Sequence, residues 1–151
     1  MSEFRTGNAA DIEAAVGVWR RAVEATHAFL SGEDIAGLEP EVRAGLGVME
    51  FWVAEEDGTV VGFMGMSGDM IEALFVEPAW RGKGVGSGFI GLARKLRGKE
   101  AVLRVDVNEQ NPEATAFYLA KGFVRIGRSD TDSAGRPWPL LHLELAPARE
   151  E

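Results

Sequence analysis

Met70-Ile71-Glu72-Ala73-Leu74-Phe75-Val76-Glu77-Pro78 runs into Ala79-Trp80-Arg81-Gly82-Lys83-Gly84-Val85-Gly86-Ser87, and this junction decides the fold. Its first part predicts a buried strand: short, largely apolar and closed by a proline that cannot continue a ladder. Past the glycines, Val85, Phe89, Leu92 and Leu96 recur at 4-3-4 spacing, which predicts the apolar face of a helix. A strand that reaches a helix N-terminus through a glycine-rich turn is a place to hold phosphate. Amide N–H groups without intrahelical partners point outward, the helix dipole favours negative charge, and missing Cβ atoms let the backbone come close. Arg81 and Lys83 add positive charge at that end.

Spacing excludes two common phosphate-binding patterns. A P-loop needs Gly-x-x-x-x-Gly-Lys-Ser/Thr, whereas Lys83 is followed by Gly84. A dinucleotide fingerprint begun at Gly82 or Gly84 would need glycine at 87 or 89, where Ser87 and Phe89 stand.

Outward from the junction, the chain alternates helix and strand signals. Residues 2–6 predict a first strand, and Asn8 offers an N-cap with Asp11 three residues on. Ile12, Val16, Trp19 and Val23 predict a helix to about residue 25, left through Thr26-His27-Ala28-Phe29-Leu30. Residues 31–46 predict a second helix, interrupted near Pro40. Residues 49–55 and 59–66 read as strands joined by a hairpin at Asp57-Gly58, and 101–107 as another strand. Asn111-Pro112-Glu113 is a helix start with cap, N1 proline and first-turn acid, and Gly122 is its stop. Residues 123–128 and 140–146 are the last strands. One domain is expected over residues 1–147, with 148–151 as a disordered tail.

Composition narrows the function. A chain of 151 residues can bury a real core in one domain, and 46% apolar with 26% charged residues is ordinary globular composition. No apolar run has the length of a membrane span and the N-terminus lacks a signal core, so no membrane role and a cytoplasmic location are expected. The absence of cysteine excludes disulfides, thiol catalysis and cysteine-ligated zinc. His27 and His142 lack metal-ligand spacing, so no metal is expected. A formal charge of −8 argues against nucleic acid. It would steer a cationic amine, although solubility alone also accounts for it. Monomer and homodimer stay open.

Arg81-Gly82-Lys83-Gly84-Val85-Gly86 resembles the Arg/Gln-x-x-Gly-x-Gly/Ala motif of GNAT N-acetyltransferases, and the preceding strand resembles theirs. Asn111-Pro112-Glu113-Ala114-Thr115-Ala116-Phe117-Tyr118-Leu119-Ala120-Lys121-Gly122-Phe123 resembles their second signature, Asn-x-x-Ala-x-x-Phe-Tyr-x-x-x-Gly-Phe. Trp19, Thr26-His27, Phe29-Leu30, Gly127-Arg128-Ser129 and Pro137-x-Pro139-Leu140-Leu141 resemble a small bacterial branch of peptidyl-lysine N-acetyltransferases. The resemblance implies an α/β (α+β) fold: one domain, a twisted and mostly antiparallel sheet, and about four helices. In that fold a parallel pair, here 70–76 and 101–107, splays apart to admit a pantetheine arm. It implies acetyl-CoA as co-substrate, held by the backbone of Leu74, Phe75 and Val76 and by Arg81, Gly82, Lys83, Gly84, Val85, Gly86 and Ser87. The N–H near Val76 is the implied oxyanion donor. Asn111, first a helix cap, gains an implied second contact to pantetheine or Tyr118.

Acetyl transfer from a thioester to an amine needs a held donor, a neutral amine, a stabilised oxyanion and a protonated leaving thiol. Tyr118, the sole tyrosine, stands where the resemblance places the general acid; its pattern alone reads as a core residue. A phenol pKa of about 10 lies near a thiol's of about 8.5. Glu72 is the candidate base. Its pKa rises if buried, and strand alternation puts it on the face of Leu74 and Val76; it reads equally well as an exposed acid. His27 titrates in a suitable range but also suits a helix C-cap. Trp19, His27, Phe29 and Leu30 are the acceptor-pocket candidates, through cation–π contact, with core packing the plainer role for Trp19. His142 alternates with Leu141 and Leu143 and belongs on the outer sheet face. The expected reaction is acetylation of a primary amine by direct attack in a ternary complex. The acceptor is a protein lysine, an N-terminal amine, or a small amine such as an amino acid, polyamine or aminoglycoside. The alternative is a non-catalytic acyl-CoA-binding sensor, against which an intact Tyr118 argues.

Overall fold

Asp57 and Gly58 both take positive φ, 50° and 79°, the pair of angles a tight hairpin needs to match the twist of its strands. In the computed structural model, which describes residues 2–148, they join β2 (Glu50–Glu56) to β3 (Thr59–Ser67). Ahead of them lie β1 (Glu3–Thr6), α1 (Ile12–Thr26) and α2 (Gly32–Val48). After them come β4 (Met70–Val76), α3 (Val85–Arg97), β5 (Leu103–Asn108), α4 (Pro112–Ala120), β6 (Val124–Ser129) and β7 (Leu140–Leu145). The strands form one sheet in the order β1-β2-β3-β4-β5-β7-β6. Neighbours run antiparallel except β4 and β5, which are parallel. Of the expected tail, the Ala148 N–H donates to the Lys99 carbonyl at 2.7 Å, and 149–151 lie outside the described residues.

Alternation along the strands gives the sheet two apolar faces. Phe51, Val53 and Phe63 pack with Ala15, Val16, Trp19 and Val23 of α1 and with Ile35 and Leu46 of α2. Trp52, Met64, Val105, Val107 and Leu143 pack with Val85, Phe89, Ile90 and Ala93 of α3 and with Tyr118 of α4. Leu96 departs from the expected helix stripe and is exposed. The predicted break at Pro40 is absent and α2 is continuous. The proline removes a bond to the Ala36 carbonyl, but residue 36 lies on the exposed side, where a carbonyl costs little to leave without a helical partner.

The entry to α1 is locked by charge. Asn8 and Asp11 form a reciprocal capping box around the 3₁₀ turn Ala9–Asp11, with the Asn8 N–H donating to Asp11 Oδ2 at 2.9 Å. Arg5 donates to both oxygens of that buried carboxylate, at 2.8 and 2.7 Å, and holds it below the usual carboxylate range. Asp11→Ala is expected to cost about 1 kcal/mol by urea titration at pH 7. A depressed acid stabilises above its unfolded pKa and loses that effect as pH falls through its folded one. The deficit should therefore shrink below about pH 4.

The pairing of β4 prepares the site. Gly65 faces Ala73 and Met66 faces Ile71, so Glu72 is the extra residue of a β-bulge. The bulge shifts the phase of everything after it. Ile71, Leu74 and Val76 pack on the α3 side, whereas Ala73 and Phe75 pack on the α1 side. The expectation that Glu72 shares a face with Leu74 and Val76 is thus overturned, because simple alternation fails across a bulge.

Candidate active site

On its other edge β4 pairs with β5 only at Met70↔Arg104 and Ile71↔Val105, and beyond these the two strands part. Register fixes what the gap exposes. The Glu77 N–H donates to the Val61 carbonyl at 2.8 Å, so the alternate residues Val76 and Leu74 turn their N–H and C=O groups away from β3. These groups point toward β5, where no ladder receives them. A cavity of about 700 Å³ fills the gap. It is lined from both faces of the sheet, by Phe117 and Tyr118 of α4 on one and by Ala22, Thr26 and His27 of the α1 end on the other.

The glycine-rich turn forms one wall. Gly82 and Gly84 hold φ of 74° and 88°, which an L side chain resists, and Gly84 is the N-cap of α3. No side chain caps that terminus, so its amides stay available. A Cβ at Gly86 would stand 3.0 Å from Phe117 Cζ; glycine there lets α3 and α4 close on the cavity. Arg81, Gly82, Gly84, Val85, Gly86 and Ser87 line the cavity, as do Leu74, Phe75 and Val76. Lys83 does not line it: its ammonium lies 5.3 Å from the Trp80 ring centroid. Arg81 is ion-paired with Glu113 of the α4 first turn.

Tyr118 is buried between Phe117 and Phe123, with ring centroids 5.1 and 5.3 Å away. Among the described residues no buried side-chain oxygen or nitrogen lacks a partner. The Tyr118 hydroxyl, which has no protein hydrogen bond, therefore opens onto the cavity that its ring lines. Burial pushes this phenol above its ordinary value near 10. Asn111 is also buried; its side chain caps α4 by accepting from the Ala114 N–H at 3.3 Å, and it lines the same cavity.

Residues 48–125, which hold the bulge, the gap, the turn and Tyr118, match the acetyltransferase (GNAT) domain. The chain belongs to the GNAT acetyltransferase family. Over 144 residues it is 40% identical to the peptidyl-lysine N-acetyltransferase YjaB of Salmonella typhimurium, covering 95% of this chain and 97% of that one. The solution structure of apo-form YjaB from Escherichia coli matches at TM-score 0.88 and 40% identity, over 98% of this chain and 99% of that chain. PaiA N-acetyltransferase from Thermoplasma acidophilum, solved with coenzyme A, shares the fold at TM-score 0.77 and 24% identity, over 97% and 99% of the chains. The PaiA structure holds coenzyme A. The site fits it, with unpaired main-chain groups along the gap and an uncapped helix terminus beside a glycine turn.

The acceptor side of this GNAT cleft departs more from expectation. His27 and Glu72 line the cavity. Glu72 is exposed, so the burial on which its candidacy rested is missing. Trp19 is a core residue beside a second cavity of about 290 Å³, which Glu72 also borders. Phe29 lies against His27 and Trp138, at 5.4 and 6.4 Å, and Leu30 packs into the α1–α2 core; neither lines the main cavity.

Two features escaped the sequence. Asp106, which lines the cavity, faces His142 in the β5–β7 register, and its Oδ1 lies 2.6 Å from His142 Nδ1. His142 Nε2 in turn lies 2.6 Å from Ser129 Oγ on β6. Alternation placed His142 on this outer face correctly, but a row across three strands depends on their order in the sheet. The second is Thr26, in the exit of α1. Its hydroxyl donates to the Ala22 carbonyl at 2.9 Å and lies 2.7 Å from His27 Nδ1. Among the described residues no group of three or more His, Cys, Asp or Glu side chains could hold a metal ion, and no helix is long and apolar enough to cross a membrane.

Proposed function

We propose that this GNAT chain acetylates the ε-amine of a protein lysine in the cytoplasm, by direct attack on acetyl-CoA in a ternary complex. The observation that carries the reading is a cavity where β4 and β5 part, lined by the main chain of β4 and the glycine turn and, at the end of α1, by Thr26 and His27. Donor and acceptor can meet there from opposite faces of the sheet. The relatives named for peptidyl-lysine acetylation favour lysine over a small amine. So do the carboxylates Glu72 and Asp106, which greet a cationic side chain.

In this reading the diphosphate rests on the amides of the turn 82–87, with Arg81 beside it, and the pantetheine bonds to the free groups of Leu74 and Val76. The Val76 N–H meets the carbonyl oxygen as it gains negative charge. Tyr118 gives its proton to the departing sulfur. A phenol raised by burial is a weak acid in water, but a thiolate in the same dry cleft is raised too, so transfer between them stays nearly balanced.

The test is an acceptor screen that monitors free CoA thiol, using lysine peptides, peptides with free N-termini, polyamines and aminoglycosides. Turnover fastest on internal lysines is expected. A polyamine or aminoglycoside turned over at least tenfold faster would replace the protein acceptor by a small one. Acetyl-CoA binding without turnover on any amine would indicate a sensor.

A further inference from the structure

We propose that His27 is the group that takes the proton from the acceptor amine, with Thr26 fixing its tautomer. This rests on the acetyl-transfer reading above. His27 ends α1 at the acceptor mouth, and its backbone is held by its N–H donating to the Val23 carbonyl at 2.8 Å and its carbonyl accepting from the Leu30 N–H at 3.0 Å. A hydroxyl has one proton to give. With the Thr26 proton committed to the Ala22 carbonyl, His27 Nδ1 must be the donor to Thr26 Oγ1. The neutral ring then carries its hydrogen on Nδ1 and its lone pair on Nε2. Nε2 has no protein partner, and because among the described residues no buried side-chain nitrogen is left unpartnered, it is accessible, on a residue that lines the cavity.

The competing bases are less well prepared. Glu72 is exposed and no hydrogen bond orients it. Asp106 is committed through one oxygen to His142. Both face the same cavity as His27, with Arg81, Glu113 and Lys121 charged at its other parts, and Phe29 covers one side of the ring. Burial lowers the His27 pKa, so the imidazole is free to accept a proton at neutral pH.

One ammonium proton passes to His27 Nε2, and the freed lone pair forms the C–N bond at the acetyl carbon. The C–S bond breaks as sulfur receives the Tyr118 proton. The second N–H proton is lost to solvent as the amide forms, Tyr118 is reprotonated from solvent, and His27 returns its proton there. The sum is ammonium plus acetyl-CoA to amide, CoA thiol and one proton.

The test compares a lysine peptide with the same peptide carrying an aminooxy group in place of the ε-amine, a nucleophile uncharged at pH 7. In His27→Gln the ratio of kcat/KM for the aminooxy peptide to that for the lysine peptide should rise about 10²-fold over wild type, since only the lysine must lose a proton before attack. Glu72→Gln and Asp106→Asn serve as comparisons. An unchanged ratio in His27→Gln, or the rise appearing in either carboxylate variant instead, would overturn the assignment. Wild-type inactivity on both peptides would overturn the acetyl-transfer reading together with it. Should His27→Gln fail to fold, nitrogen-15 spectra of the wild-type ring decide. The neutral Nδ1–H form at pH 7 supports the proposal, and the Nε2–H form refutes it.

Discussion

Tyr118→Phe should lower kcat by about 10²-fold or more while the KM for acetyl-CoA stays within about twofold. The hydroxyl makes no protein hydrogen bond and faces the cavity, so its loss removes a proton source and little else. The ring stays, wedged between Phe117 and Phe123, so the core that α4 completes is kept. The melting temperature should therefore hold, because the hydroxyl faces the cavity and its removal breaks no protein hydrogen bond. A drop in stability with kcat intact would return Tyr118 to a purely structural role. Steady-state kinetics on the best acceptor, with a melt of the same preparation, gives both readings.

Arg81→Glu should raise the KM for acetyl-CoA by about 10- to 100-fold, with a much smaller change in kcat at saturation. A hydrogen bond to a charged group contributes about 1.5–3 kcal/mol, and the reversal also sets a second carboxylate beside Glu113. The present Arg81–Glu113 pair is exposed on both sides and worth little by itself, so a diphosphate can displace it. Glu113→Gln should accordingly move KM downward, by releasing Arg81 from its competitor. An increase of similar size in both variants would mean that the pair serves to hold α3 and α4 together rather than to meet phosphate.

Where the physics is local, the sequence was readable. Asp57-Gly58 dictates its own hairpin angles, Asn8 with Asp11 caps α1, and Asn111-Pro112 starts α4 at the predicted residue. The turn before α3 declared itself because glycine is the residue that takes φ of 74° and 88° without strain. What failed was non-local. The facing of Glu72 depends on a bulge set by β3, one strand away, and a single extra residue reverses every later side chain. The Asp106–His142–Ser129 row needs β7 to lie between β5 and β6, an order the chain does not follow. Lys83 sits in the expected motif, yet its flexible stem carries the ammonium to Trp80. Phe29 and Leu30 were apolar residues near the right helix end; the core and Trp138 claimed them.

The most direct test of the donor site is an amide NMR titration with coenzyme A and, separately, with pantetheine, which lacks the diphosphate. Coenzyme A should shift the N–H signals of Gly82 and Gly84 through Ser87 together with those of Leu74 and Val76, whereas pantetheine should move only the last two. Coenzyme A shifts that leave the 82–87 amides untouched would contradict the assignment of this turn as the diphosphate cradle.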